Sequence, residues 1–254
     1  MIEVLISTMY LENPIKLLKK MNINTDAVII NQCNYCKHEI INYNNHKITI
    51  ISTTDRGLSK SRNLAIRNST ADILIFADDD FEYSKDYASV VAHAYEEYPS
   101  ADIIVFGAIR NDNYIYKQFL NGKLNSRAKY NINSIRITAK RLTVLEKKLF
   151  FDERFGTGTD ISCGEDTIFM SDCFKKKCLV FSNDFILCRG IKDDRESSWF
   201  HGYNEKFFLD RGLVYRRISK FSFFLSVYYI IKKYSLYKND ISPIVALKKM
   251  LFHH

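Results

Sequence analysis

The chain has 254 residues, 46% hydrophobic and 26% charged, with a net charge of +8. That size and balance describe a folded chain with a full apolar core and exclude a disordered or fibrous polymer. The positive charge points to anionic partners such as nucleotide phosphates or acidic lipid, but the basic residues are dispersed and no nucleic-acid module accompanies them, so nucleic acid is not an expected partner.

Residues 2–8 are rich in β-branched side chains and predict a central strand at the start of the chain. Asn13-Pro14 then opens a helix whose apolar side is Ile15, Leu17 and Leu18. Residues 27–30 predict a second strand, ending in Asn31-Gln32, and residues 48–51 a third. Between them Cys33-Asn34-Tyr35-Cys36 has no second pair to complete a zinc ribbon and reads as thiols in a loop. The six cysteines are too sparse for a disulfide framework, which predicts a reducing, cytoplasmic setting. In Asp55-Arg56-Gly57-Leu58-Ser59-Lys60-Ser61-Arg62-Asn63, Gly57 punctuates a loop and Ser59 is placed to cap the helix that follows. Arg62 then falls in the first turn, where it opposes the helix dipole unless an anion lies nearby. Strands separated by helical segments of this length predict parallel pairing and an α/β architecture.

Ile73-Leu74-Ile75-Phe76-Ala77-Asp78-Asp79-Asp80 is a buried strand that ends in three carboxylates. Burying such groups is costly without positive charge, so a divalent cation with bound phosphates is a ready explanation. In extended geometry Asp78 and Asp80 share one side while Asp79 points to the other and makes structural hydrogen bonds. Residues 88–98 predict a helix with Val90, Val91, Ala94 and Tyr95 on one face, stopped by Pro99, and residues 103–106 a further buried strand. Residues 110–133 turn polar without a period and read as a loop excursion, residues 134–138 as a strand, and residues 141–148 as a helix. A glycine-containing loop, Phe151-Asp152-Glu153-Arg154-Phe155-Gly156-Thr157-Gly158-Thr159-Asp160, precedes a helix start at Gly164-Glu165-Asp166. Acids there suit the dipole simply as capping charge, or one of them serves as a general base in a cleft. Neighbouring helical residues diverge by about 100°, so no more than one of Glu165 and Asp166 is expected to face a given cleft.

Taken in order, Gly57-Leu58-Ser59-x-x-Arg62-Asn63, the strand ending Asp78-Asp79-Asp80, Phe151-Asp152-Glu153-x-Phe155-Gly156-x-Gly158 and Gly164-Glu165-Asp166-x-x-Phe169 resemble the family 2 glycosyltransferases of the GT-A fold. The resemblance spans roughly residues 2–181 and implies a nucleotide-diphospho-sugar transferase fold, a mostly parallel central sheet flanked by helices. It implies transfer of a sugar, with inversion, from a nucleotide diphosphate donor, by default a UDP-sugar, to an acceptor hydroxyl. Carried over, Asp80 would hold Mg2+ or Mn2+, and Asp166 would be the base with Glu165 supporting the acceptor side. Ser7, Thr8 and Met9 would line the nucleoside pocket, with Gln32, Gly57, Arg62, Asp78 and Asp79 completing the nucleotide site. Many relatives carry an aspartate where this chain has Asn31-Gln32, and many place a late histidine near the metal, for which His201 is the candidate.

Residues 1–205 are expected to form the transferase domain and residues 206–254 a helical extension, basic and aromatic. Its apolar part, residues 221–231, falls short of the roughly 20 residues of a membrane span. Such a helix lies at a membrane surface, which suits a lipid-linked or glycan acceptor, or else it covers the core or forms a dimer. Two rival readings are a sugar-phosphate nucleotidyltransferase, for which Ser7-Thr8-Met9-Tyr10 lacks the glycine-rich phosphate loop, and a catalytically inactive glycan-binding or scaffold protein.

Overall fold

A strand made of alternating apolar residues can serve two cores at once, and the central sheet is built on this rule. In the computed structural model, which describes residues 1–191, 200 and 202–252, strand β1 (Ile2–Met9) sends Val4 and Ile6 into one apolar layer and Leu5 into the other. Beside it lie β2 (Asp26–Gln32), β4 (His46–Thr53) and β5 (Ile73–Asp78). These four run parallel in the order β4-β2-β1-β5, with Ser7 level with both Ile30 and Asp78, and Met9 level with Gln32. All four strands therefore release the chain along one edge of the sheet, where ligands of open α/β sheets bind.

The sheet grows outward by antiparallel additions. On one side β3 (Lys37–Tyr43) pairs with β4 as a hairpin, turned by Asn44 and Asn45 at φ 51° and 66°. No element is assigned to residues 37–43 from the sequence, although two asparagines between two β-rich runs are the signature of a two-residue hairpin turn. On the other side β9 (Ile137–Lys140) runs antiparallel between β5 and β7 (Ile103–Ile109), and β10 (Val180–Gly190) runs parallel to β7. Two short strands, β6 (Phe81–Tyr83) and β8 (Gly122–Lys123), pair with β10.

Helix α1 (Pro14–Lys20), whose first turn is capped by the Asn13 side chain, and α3 (Tyr87–Glu97) cover one face through Leu17, Leu18, Val91 and Ala94. Helix α2 (Leu58–Asn68) and α5 (Glu165–Lys175) cover the other through Ala65, Ile66, Phe169 and Met170. A short helix, α4 (Arg141–Glu146), follows β9 directly. The expected strand at 134–138 begins later than predicted, because Ser134–Arg136 form a 3-10 turn. Its Arg136, fully buried, donates to the carbonyls of Phe106, Asn131 and Lys117 and so pins the irregular excursion to the sheet. Burial without a carboxylate partner lowers its pKa to about 10.

The C-terminal segment folds as α6 (Glu205–Ile218), α7 (Ser222–Lys232), α8 (Tyr234–Tyr237) and α9 (Pro243–Leu251). Phe208, Val214, Ile230, Ala246 and Met250 form a third apolar cluster that also takes in Phe155 and Ile168. Arg217 of α6 anchors these helices by bonds to Asp152 and Asp172. Among the described residues no helix is long and apolar enough to cross a membrane. All six cysteines are free.

Candidate active site

Helix α2 is the ruler of the site. It starts at Gly57, whose φ of 118° suits glycine and whose Cα lies 3.2 Å from where a Cβ on Gly158 would stand, so the two glycines let the loops touch. Ser59 does not cap this helix, because its hydroxyl donates to the carbonyl of Phe155 instead. Ser61 donates to Ser7 on β1, and Asn63 exchanges bonds with the backbone of Phe151 while also donating to Glu153. One face of one helix thus grips the end of β1 and the loop after Leu149. The spacing Ser59-x-x-x-Asn63 follows from the helical period that stacks residues four apart.

Arg62 lies in the second turn rather than the first and is 1% exposed. Its Nη2 donates to Asp78 at 2.9 Å and its Nη1 to Asp166 at 3.1 Å, with Glu165 at 3.6 Å from Nη1. The anion near this arginine is therefore the protein's own, three carboxylates drawn from the end of β5 and the start of α5. Glu165 and Asp166, expected to diverge, reach the same guanidinium. Burial by itself disfavours the Arg62 charge, but Asp78, Asp166 and Glu165 outweigh it and hold its pKa above the ordinary value. The Arg62 guanidinium also sits 5.2 Å from the centre of the Phe151 ring.

Gly164 shapes the entry to α5. Its φ is +93° and an added Cβ would run into the Val214 side chain of α6, so the turn exists in that form because the residue is glycine. Burial raises the pKa of Glu165 most, to about 7, with the charge of Asp166 adding to it and Arg62 opposing. Asp166 is raised too, again chiefly by burial, while Arg62 and hydrogen bonds from Ser134 pull it down. Ser134 comes from the 3-10 turn that replaced the expected strand start, and its role was not legible in the sequence.

Along the sheet edge, Thr8 donates to Asp79 at 2.6 Å, as a structural role for that aspartate requires. Burial is the main force lifting the Tyr116 hydroxyl to about 12, and the charges of Asp80 and Asp78 add to it. The Asp80 carbonyl accepts from the Ile191 N–H, tying the acidic turn to the end of β10. The Gln32 side-chain Oε1 accepts from Gly57 N–H, fixing the loop before α2. Met9 is half exposed, and next to it Tyr10, at φ 50°, packs under Arg56. Arg56 donates to the carbonyls of Cys33 and Thr54 and to the Asn34 side chain, stitching together the ends of β2 and β4. Neither Tyr10 nor Arg56 was picked out from the sequence. A cleft of about 230 Å3 opens among Gln32, Thr53, Lys60, Ser61, Arg67 and Glu153.

His201 lies outside the described residues. Among the described residues no three acidic, histidine or cysteine side chains converge as a self-sufficient metal cage. The chemistry of the donors nevertheless fits a hard cation: the acidic turn offers carboxylate oxygens, and Mg2+ commonly takes one or two of these and fills its remaining positions from phosphate and water. Three carboxylates sharing one guanidinium also leave the cluster in excess of negative charge, which a cation offsets.

Parallel strands delivering an acidic turn, a helix N-terminus and a buried arginine to one edge define an open α/β architecture whose ligand site lies at the carboxyl ends of the strands. The family profile of Glycosyl transferase family 2 matches residues 11–158, and the chain belongs to that family as a glycosyltransferase of the GT-A fold. No curated protein matches it significantly in sequence. Among solved structures it is similar to TarS of S. aureus, residues 1–349 in complex with UDP-GlcNAc, at 15% identity and a TM-score of 0.69, covering 95% of this chain and 76% of that one. The same TarS segment in complex with UDP superposes at a TM-score of 0.65 and 14% identity, covering 95% and 75%. Longer TarS gives 0.66 at 12% identity, covering 95% and 46%. At these identities the likeness establishes the fold.

Proposed function

We propose that the enzyme is a metal-dependent, inverting glycosyltransferase that takes its sugar from a UDP-sugar. The observation that carries the reading is the bridge made by Arg62, which joins Asp78 of the acidic turn to Asp166 of the second acidic centre across one buried guanidinium. Donor-side and acceptor-side chemistry then share a single cleft. Ser7, Thr8, Met9, Gln32, Gly57, Arg62, Asp78 and Asp79 frame the nucleotide side. The similar structures holding UDP-GlcNAc and UDP support uridine as the base.

Asp80 would hold Mg2+ or Mn2+, which when bound neutralises charge developing on the departing diphosphate. Asp166 takes the proton from the acceptor hydroxyl as the oxygen forms its bond to the anomeric carbon. The bond from that carbon to the diphosphate breaks on the opposite face, and the nucleoside diphosphate leaves with the electron pair, so configuration inverts. Burial strengthens Asp166 as a base, because a raised pKa holds the abstracted proton more firmly. Glu165, pushed up to about 7 chiefly by burial, holds a proton roughly half of the time at neutral pH, and in that form spares Asp166 a second adjacent charge. The acceptor side suits a glycan or lipid-linked hydroxyl of cell-surface polysaccharide or glycolipid synthesis, with the chain working at the inner face of the membrane. The test is a panel of nucleotide sugars assayed for Mn2+-dependent hydrolysis: release of UDP from one of them, lost on chelation, is expected. Equal turnover with and without chelator would refute the metal-dependent reading.

A further inference from the structure

Helix α7 is apolar on two sides: Leu225, Tyr229 and Ile230 pack against the third cluster, while an aromatic stripe faces outward. Its core-facing side includes Ser222 and Ser226, the latter 1% exposed and bonded to the Ser222 carbonyl, with Ile230 below them. Phe221, at its N-cap, and Phe224, Tyr228 and Ile231 follow one another at helical spacing on the opposite side, and all four are more than half exposed: 70%, 68%, 58% and 72%. Leaving apolar area in water is unfavourable, so a contiguous aromatic stripe exposed on top of an already apolar inner face marks a surface made for something else.

The charge around the stripe selects the occupant. From Lys220 to Asn239 the sequence holds four lysines, Lys220, Lys232, Lys233 and Lys238, and no acidic residue. Lys220 precedes the stripe, and Lys232 ends it with its ammonium 2.8 Å from the Tyr228 hydroxyl. Pairing of two copies through this face would set like charges against each other, whereas an anionic bilayer meets both the rings and the lysines. We infer that the outward face of α7 docks the protein on an anionic lipid surface, with Phe221, Phe224 and Ile231 inserted at the headgroup boundary and Lys220 and Lys232 against acidic headgroups. The lipid-linked acceptor of the proposed reaction would be reached from this surface, but the docking surface itself stands on the α7 face alone.

Sedimentation of the full chain with vesicles tests this. Binding to vesicles of phosphatidylcholine with about one-third phosphatidylglycerol is expected, weak binding to phosphatidylcholine alone, and a loss on the order of fivefold for each lysine removed. The variants are Lys220→Gln with Lys232→Gln, and Phe221→Ser with Phe224→Ser and Ile231→Ser, the latter expected to lose at least tenfold. These positions are exposed, and an unchanged melting temperature verifies folding. Absence of binding to the anionic vesicles overturns the inference, as does a dimer in solution that the serine variant dissolves. UDP-sugar hydrolysis measured on the same variants without vesicles separates the two readings. Retained hydrolysis with lost docking supports both, and retained docking without any hydrolysis removes the enzymatic one alone.

Discussion

Replacing Arg62 by Met keeps the aliphatic stem near Phe151 and deletes the charge that three carboxylates share. Removing one partner of a buried ion pair costs about 3–5 kcal/mol, because the remaining charge has neither water nor a counter-ion. Arg62 is 1% exposed, Glu165 13% and Asp166 22%, so solvent replaces little of the lost attraction. The penalty depends on pH with a definite sign. Arg62 is what pulls the Glu165 and Asp166 pKa values downward against burial. Without it both rise further above their unfolded values, the folded variant binds more protons than its unfolded chain, and its stability falls with rising pH more steeply than that of the wild type. Urea unfolding at pH 8 and pH 5 reads this out. A loss of about 4 kcal/mol, or roughly 1 to 2 M in midpoint, is expected at pH 8. At pH 5 it should shrink to about half, since protonation of the pair does part of what the guanidinium did. An equal loss at both pH values would refute the charge-bridge account and leave Arg62 as a packing residue.

Asp80→Ala is expected to abolish Mn2+-dependent thermal stabilisation by a UDP-sugar, an effect of about 2.7 kcal/mol at a hundredfold excess over Kd in a competent protein; full turnover in the variant would remove Asp80 from metal binding. Asp166→Asn should retain donor binding by calorimetry while transfer falls about 10²- to 10⁴-fold, and unchanged transfer would exclude it as the base. Glu165 has its carboxyl raised from 4.5 to about 7, so its stabilising contribution is present below pH 4.5 and is lost as pH rises through 7. Glu165→Gln should therefore gain on the wild type between pH 5 and pH 8 by about 3 kcal/mol at most, seen as converging melting curves in acid. Gly164→Ala drives a Cβ into Val214 and into a left-handed backbone, and a loss of about 2 kcal/mol or more is expected, partly restored by Val214→Ala in the same chain.

The strands that were legible are those whose burial is total. Residues 27–30 and 73–76 carry runs of apolar side chains because both faces of the parallel strands are covered. β10 escaped notice because Asn183 and Asp184 interrupt it and its register shifts beside β7 at that point, so no single period runs through it. At the site, the motif residues were visible as types, but their partners were not. That Arg62 would be neutralised by Asp78, Glu165 and Asp166 depends on contacts 16 to 104 positions apart in the chain. The convergence of Glu165 and Asp166 on one nitrogen, at 3.6 and 3.1 Å, runs against the expectation from the roughly 100° spacing, and both residues lie in the first turn of α5.

The apparent oddity of an arginine early in a helix is resolved by what the helix connects. Ser59, Ser61, Arg62 and Asn63 lie within five positions, and they bond in turn to Phe155, Ser7, the three acids and Phe151. A rigid helix carrying all these contacts fixes the separation of the acidic turn from the α5 start far better than loops alone would. The dipole penalty on Arg62 is small, about 1 kcal/mol or less, against several kcal/mol for leaving buried carboxylates unmatched. The placement is thus selected by the contacts of the site rather than by the helix, and the same charge match holds the carboxyl groups of Asp78 and Asp166 on one guanidinium.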